Sequence, residues 1–167
     1  MKPSILILFL VLFSCNTTTN DTQEVVETLY DYDVEKRLEE LNITLTEPSK
    51  PVANYVNAVR TGNLVFMAGK GPTDESGNLI TGKVGVDLTI EEGYKAAQRT
   101  AMAQLSALKA EIGDLNKVKR IVKVLGMVNC NADFGNQPEV INGFSDLMVE
   151  VFGERGKHAR AAVGMVS

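Results

Sequence analysis

The chain has 167 residues, of which 44% are hydrophobic and 23% are charged, with a formal net charge of −4. This composition is typical of one globular domain, and its acidic balance argues against a broad nucleic-acid-binding face, so no nucleic-acid partner is expected. The single histidine, His158, excludes a multi-histidine metal site. Cys15 and Cys130 form no CxxC pair, which leaves zinc and thioredoxin-type chemistry unsupported. We expect no metal and no other cofactor.

The N-terminus has the pattern of an export signal. Lys2 precedes an uncharged apolar run, residues 5–13, which is too short to span a bilayer because a span needs about 20 apolar residues. Residues 12–15, Leu-Phe-Ser-Cys, resemble a bacterial lipobox, in which Cys15 would be lipidated. The alternative is an ordinary cleaved signal that leaves Cys15 as a free thiol. We expect a signal peptide over 1–14, a flexible tether over 15–32, and an exported lipoprotein anchored to a membrane of the bacterial cell envelope.

The first half of the domain, which we place at 33–167, contains a predicted short helix and a predicted hairpin. Apolar residues at helical spacing predict the helix over 33–41. Two β-prone runs, 52–60 and 64–68, predict strands that fold back at Thr61-Gly62-Asn63. The Gly- and Asp-rich stretch 70–86 is typical of a loop.

The second half alternates long helices with strands. Thr89 and Glu92 form a capping box that begins a helix, which Gly113 ends. Its predicted inward stripe, at helical spacing, is Ala97, Ala101, Leu105, Leu108 and Ile112. Residues 118–128 predict a strand, Asn136 is the predicted cap of a third helix over 138–152 that Gly153 ends, and residues 159–166 predict the last strand. This order predicts a two-layer α+β sandwich in which two long helices cover one face of a mixed sheet.

One arginine stands on the last predicted strand, in the run His-Ala-Arg-Ala-Ala-Val. A guanidinium on a small, apolar strand is costly to bury without an anionic partner. That partner is either a structural carboxylate, such as Glu150 or Glu154, or the carboxylate of a ligand. A planar guanidinium is well suited to bidentate carboxylate recognition, which favours the ligand for Arg160.

Four motifs together resemble one family. They are Y-V-N-A-V-R-T-G-N-L-V-F-M-A-G, V-K-R-I-V-K-V-L-G-M-V-N, I-N-G-F-S-D-L-M-V-E-V-F-G and H-A-R-A-A-V-G, and they lie between residues 34 and 166. They resemble the YjgF/YER057c/UK114 family, also called RidA, with the older label endoribonuclease L-PSP. The resemblance implies a chorismate-mutase-like fold and a homotrimer with ligand clefts between subunits. It also implies hydrolysis of amino-acid-derived enamines and imines to 2-keto acids and ammonia.

The same resemblance implies roles for three residues. Arg160 would be the catalytic residue that binds the substrate carboxylate, Tyr55 would line the cleft, and the backbone of Gly69 would approach the ligand. Core packing is the alternative for Tyr55, and simple backbone geometry for Gly69. The implied partner is a small carboxylate-bearing metabolite.

The sequence departs from the family pattern at three places. Where relatives often have Ser-Gly-Gln, this chain has Ala68-Gly69-Lys70, and Ala162 replaces a frequent thiol. Relatives also continue into a glutamate-bearing strand, so the C-terminal strand is expected to be missing. Lys70 could attract an anion or be solvated.

Two further residues and two rival functions stay open at this point. Cys130 is expected to be a buried thiol rather than a nucleophile, and His158 a surface histidine rather than a residue that tunes the site. The rivals to a deaminase are a non-catalytic module that binds small acids and an endoribonuclease.

Overall fold

The computed structural model describes residues 29–166, so the predicted signal peptide, most of the tether and Cys15 lie outside the described residues. The elements follow the predicted order. They are α1 (Val34–Glu40), β1 (Ala58–Thr61), β2 (Leu64–Met67), α2 (Ile90–Ile112), β3 (Lys123–Asn129), α3 (Gln137–Phe152) and β4 (Ala159–Met165), with short 3₁₀ turns at Leu115–Lys117 and Gly153–Gly156. The α+β class is confirmed.

The strands pair two by two. β1 and β2 form an antiparallel hairpin, and β3 and β4 form a parallel pair, which we call the ladder. In the ladder, Val124 lies opposite Arg160 and Gly126 lies opposite Ala162. Because alternate residues face the same side, these positions share the ladder face that α3 covers.

Two predicted strands were too long. The run 52–60 is a strand only from Ala58 onward, since its partner β2 has four residues and the pairing stops at Ala58 opposite Met67. The run 118–128 becomes a strand only at Lys123, because its partner β4 begins opposite it at Ala159. Before that point the Ile121 amide donates instead to the Arg155 carbonyl, which belongs to the 3₁₀ turn.

Helix α2 begins and ends as predicted. The Thr89 hydroxyl accepts from the Glu92 amide, and the Glu92 carboxylate accepts from the Thr89 amide at 2.8 Å. Gly113 ends the helix with a φ of +81°, a conformation that favours glycine. The predicted inward stripe is confirmed in its first three members, the buried residues Ala97, Ala101 and Leu105.

Helix α3 also ends at its predicted glycine, Gly153, and Asn136 occupies the N-cap position as predicted, but its side chain makes no capping hydrogen bond. No side-chain oxygen of Asn136 accepts from the first turn. Its amide Nδ2 donates to Glu139 Oε1 at 2.7 Å, so the side chain contacts another side chain instead of the helix backbone. Pro138 lies in the first turn, where its missing N–H costs nothing.

The two long helices pack on each other and on the ladder. A Cβ on Gly143 would lie 2.1 Å from the Tyr94 carbonyl oxygen, and a Cβ on Gly126 would lie 2.5 Å from Ile141 Cδ1. These glycines therefore set the close approach of α2 to α3 and of α3 to β3. The larger core cluster contains Val34, Leu38, Leu105, Leu115, Leu147, Met148, Val151 and Phe152.

Within residues 29–166, none of the helices has both the length and the apolar character needed to cross a membrane. The ladder face turned away from α3 is apolar and exposed. Its large side chains are Leu125, Met127, Val163 and Met165, with exposed fractions of 39% to 59%.

Candidate functional site

The guanidinium of Arg160 is held by two neutral side chains of α3. Its Nη1 donates to Asn142 Oδ1 at 2.9 Å and to Ser145 Oγ at 3.0 Å. Asn142 and Ser145 are one helical turn apart, so both face the start of β4. The charge is thus oriented without being neutralised.

The opposite edge of this guanidinium is open. Nε and Nη2 of Arg160 donate to no acceptor in the described part of the chain, and Arg160 forms no ion pair there. The carboxylate of Glu154 pairs with Lys157 at 2.6 Å instead. The alternative of a structural partner such as Glu150 or Glu154 is therefore wrong within residues 29–166. The Nε and Nη2 donors form a fork that matches the two oxygens of a carboxylate.

His158 belongs to the same group of side chains. Its Nε2 lies 3.1 Å from Ser145 Oγ, and its Nδ1 lies 2.7 Å from the carbonyl oxygen of Gly156. The ring also meets Phe144 edge-on, with 6.3 Å between ring centroids. The expectation of a surface histidine was wrong, because these contacts leave His158 half-buried.

Sequence reasoning missed Asn142 and Ser145 altogether. The available signal was their spacing: two small polar residues, three apart, border the apolar face of α3. Polar residues at the edge of a covered face are consistent with a polar group on the element that the helix covers. Here that group is Arg160.

Tyr55 and Gly69 lie at the base of the hairpin, Tyr55 before β1 and Gly69 after β2. Tyr55 is 49% exposed, so it is not a core residue. No atom crowds Gly69 within 4 Å of its Cβ position, and its φ is outside the left-handed region, so neither space nor backbone demands glycine there. Among the described residues, no hydrogen bond, ion pair or ring contact joins Tyr55 or Gly69 to Arg160. A single chain does not bring the three predicted site residues together.

Lys70 is a second cation held by neutral groups. Its Nζ donates to Asn57 Oδ1 at 2.7 Å and approaches Ser49 Oγ at 3.5 Å. It forms no ion pair within residues 29–166. The adjoining Ala68 carbonyl accepts from Gln104 Nε2 of α2 at 2.9 Å, which ties the base of the hairpin to the helix. Lys70 is therefore fixed in place at the hairpin base.

The remaining titratable candidates offer no second site in the described part of the chain. Cys130 is only 1% exposed, with Gln137 Nε2 at 3.8 Å from its sulfur, which confirms the expected buried thiol. Residues 29–166 contain no group of three His, Cys, Asp or Glu side chains that could hold a metal ion. The Tyr94 hydroxyl donates to Asp146, the residue that follows Ser145. Burial, and then this hydrogen bond, raise the pKa of Tyr94.

Comparison with known proteins identifies the family. Residues 35–165 match the model of the family described as "YjgF/chorismate_mutase-like, putative endoribonuclease". The chain belongs to this family. The membership predicted from the four motifs is confirmed, and with it the YjgF-like fold.

Relatives of this YjgF-family chain cover most of its length. Protein TCP17 of Trypanosoma cruzi is 41% identical over 133 residues, which are 79% of this chain and 83% of the relative. The crystal structure of Atu1372 from Agrobacterium tumefaciens, of unknown function, is 41% identical with a TM-score of 0.73, covering 80% of this chain and 83% of that one. A "putative endoribonuclease" from Shewanella oneidensis is 30% identical with a TM-score of 0.77, covering 80% and 89%.

Proposed function

We propose that this YjgF-family protein is a RidA-like deaminase. It hydrolyses reactive enamine and imine intermediates of amino acids to 2-keto acids and ammonia. The observation that carries the proposal is the open Nε–Nη2 edge of Arg160, a cation held by Asn142 and Ser145 and left without a carboxylate in the described part of the chain.

The chemistry asks little more of the protein than orientation. Water adds across the C=N bond of the imine, and the nitrogen leaves as ammonia while a C=O bond forms. A charge-assisted contact to the substrate carboxylate is worth roughly 1.5–3 kcal/mol. That contact fixes the imine carbon relative to an attacking water, so the arginine contributes by binding and positioning.

A homotrimer with clefts between subunits is part of the proposal. Its support is the apolar ladder face, where Met127 and Leu125 are each 59% exposed. Apolar patches of this kind mark association surfaces. Association of copies would also give the hairpin base, with Tyr55 and Gly69, an opportunity to reach Arg160 of a neighbouring copy, which no single chain achieves.

The test compares two arginine variants. Arg160→Ala should lower kcat/KM for the imine of pyruvate by about 10- to 100-fold, since the lost contact is charge-assisted. The matched control is Arg99→Ala, which removes an exposed arginine paired with Glu75 at 2.9 Å. The imine is generated in the assay by an amino-acid oxidase acting on alanine, and its decay is measured above the uncatalysed rate. Unchanged turnover in Arg160→Ala, with both variants folded, would reject the proposal.

The same preparations decide between the rival functions. Saturable binding of pyruvate with no acceleration of imine decay would favour a non-catalytic module that binds small acids. The endoribonuclease name carried by the family and by the Shewanella protein calls for an RNA-cleavage assay. Cleavage that disappears in Arg160→Ala would favour that activity, although the net charge of −4 gives it no electrostatic support.

Export and lipidation are proposed on the sequence pattern alone, because Cys15 lies outside the described residues. Lipid-modified protein should partition into the detergent phase in Triton X-114, and Cys15→Ser should return it to the aqueous phase. Each acyl methylene contributes roughly 0.8 kcal/mol of membrane binding, so several chains give a stable anchor. Aqueous partition of the wild-type protein would contradict the proposal.

A further inference from the structure

A chain of hydrogen bonds connects Arg160 to a rigid point of the backbone. It runs from Arg160 Nη1 to Ser145 Oγ at 3.0 Å, then to His158 Nε2 at 3.1 Å, and from His158 Nδ1 to the Gly156 carbonyl at 2.7 Å. Gly156 is buried, and a Cβ there would lie 2.1 Å from the Met148 carbonyl oxygen of α3. The far end of the chain is therefore fixed by backbone packed against backbone.

The chemistry of the groups sets the direction of each bond. A backbone carbonyl only accepts, so Nδ1 of His158 carries the proton that Gly156 receives. In the neutral imidazole, Nε2 is then an acceptor, and the Ser145 hydroxyl donates to it. The lone pairs of Ser145 are consequently left for the Arg160 guanidinium, which can only donate.

We propose that His158 is a positioning residue for Arg160. By accepting the Ser145 hydrogen, it holds the hydroxyl oxygen toward Nη1, and this fixes the guanidinium plane so that the Nε–Nη2 edge faces outward. The inference rests on the proposed function only in naming the substrate carboxylate as what that edge receives. His158 itself touches no reacting atom.

The contrast with other arginines of the chain supports a positioning role. Arg99 reaches a carboxylate, and the Arg155 guanidinium lies over the Tyr30 ring with 5.3 Å to its centroid. Of these three arginines, only Arg160 donates to a hydroxyl group, that of Ser145, which directs its own hydrogen to His158 Nε2. Loss of that direction would free the hydroxyl to rotate.

Two substitutions separate the role of Nε2 from that of Nδ1. His158→Asn keeps an N–H near the Nδ1 position for the Gly156 carbonyl and loses the acceptor for Ser145. His158→Gln extends an amide oxygen toward the Nε2 position and can accept from Ser145. We expect His158→Asn to raise KM for the pyruvate imine roughly tenfold with kcat changed less than about threefold, while His158→Gln stays within about threefold of wild type.

Ser145→Ala interrupts the same chain of hydrogen bonds at a different residue. It should raise KM as His158→Asn does, and the double variant should be no worse than Ser145→Ala, because both substitutions remove one shared link. Additive losses in the double variant would overturn the proposal. Thermal unfolding of each variant identifies any that fails to fold.

A spectroscopic measurement tests the positioning without any substrate. In ¹H–¹⁵N spectra, a guanidinium with hindered rotation about Nε–Cζ gives separate Nη1 and Nη2 signals. We expect sharp, separate signals from Arg160 in the wild type and in His158→Gln, with assignment by their loss in Arg160→Ala. In His158→Asn, where the bond to Asn142 remains, we expect the two signals to broaden because rotation becomes faster. Equally sharp signals in His158→Asn would overturn the proposal, as would broadened signals with an unchanged KM. A wild type without imine hydrolysis would reject the proposed function, whereas the spectra would still decide the positioning.

Discussion

The ladder and the hairpin are both two-stranded, yet they differ in how closely they pack against the helices. The inner face of the ladder is covered by α3, with Val128 buried and Gly126 pressed against Ile141. The hairpin touches α2 lightly, and Phe66 on β2 is 61% exposed. One pair of strands is built into the core, and the other projects from it.

This difference bears on the candidate site. The ladder presents Arg160 in a fixed orientation, through contacts that all lie within one chain. The hairpin base presents Tyr55, Gly69 and Lys70, and in one chain none of them reaches the arginine. A complete cleft of the kind we propose therefore needs the ladder of one copy and the hairpin of another.

The same glycine-to-alanine change should have very different effects in the two regions. On propensity alone, Gly143→Ala within α3 would gain about 1 kcal/mol. The new Cβ, however, would lie 2.1 Å from the Tyr94 carbonyl oxygen, a backbone atom that cannot move aside alone. We expect a net loss of about 3 kcal/mol in the free energy of unfolding, or failure to fold.

Gly69→Ala is the matched control for that change. Nothing lies within 4 Å of the new Cβ, so the free energy of unfolding measured in urea should change by less than about 0.5 kcal/mol. If the Gly69 backbone approaches the ligand, turnover of the pyruvate imine should nevertheless fall. A folded Gly143→Ala with wild-type stability would contradict the close packing of α2 on α3.

The ends of helix α2 were more predictable than the ends of the strands. The α2 stripe and its capping box are local patterns, and both are confirmed in the structure. Strand ends were predicted poorly because a strand ends where its partner ends, and the partner lies far away in sequence. For β3 that partner begins only at Ala159, which no local pattern near residue 118 can reveal.

The outer face of the ladder should decide association. In an isolated chain, Met127→Glu alters an exposed residue and should change stability by less than about 0.5 kcal/mol. In the proposed trimer, the same carboxylate would be buried against apolar side chains, which is costly without a partner. Analytical ultracentrifugation should show smaller species for Met127→Glu. The control is Val86→Glu, whose site is 63% exposed but lies outside the ladder.

A trimer that survives Met127→Glu unchanged would remove the ladder face from the interface. It would also remove the reason for placing Arg160 beside the hairpin of a second copy. Conversely, loss of both the trimer and imine hydrolysis in Met127→Glu, with the chain folded, would support a site shared between copies.

Lys70 should contribute less than Arg160 to substrate binding, and in a different way. We expect it to attract the substrate anion from a distance, because its Nζ is already directed at Asn57. Lys70→Gln, which removes the charge and keeps a polar side chain, should raise KM for the pyruvate imine about two- to fivefold at low salt. Long-range attraction is screened by salt, so this difference should shrink as NaCl rises from about 0.05 to 0.5 M. A salt-independent difference would instead indicate direct contact with the substrate.

The sequence led to Arg160 but not to its surroundings. A charge on an apolar strand can be recognised from the sequence alone. Asn142 and Ser145, in contrast, matter only because α3 crosses the start of β4. The sequence predicted a surface position for His158, because its partial burial depends on Phe144 and on the Gly156 turn. Local patterns therefore found the charged group, and tertiary packing determined what orients it.

The smallest expected effect concerns the segment that leads into the ladder. The Tyr30 hydroxyl donates to the Val118 carbonyl, and burial raises the pKa of Tyr30 to about 12, although nearby Arg155 lowers it. In the unfolded chain this hydroxyl loses its proton near pH 10. Between these values the unfolded chain is the more deprotonated, so the stability that Tyr30 contributes is complete below pH 10 and declines as the pH rises toward 12.

Tyr30→Phe removes both the hydrogen bond and this titration. At pH 8 the variant should be less stable than the wild type by about 1 kcal/mol, the usual net worth of one such bond. Because the variant has no proton to lose at this position, the difference should narrow between pH 10 and 11.5. Urea unfolding at a series of pH values measures this difference in the free energy of unfolding. A constant difference across that range would show that Tyr30 titrates alike in the folded and unfolded chains. Its hydrogen bond to the Val118 carbonyl, just before β3, would then not oppose deprotonation.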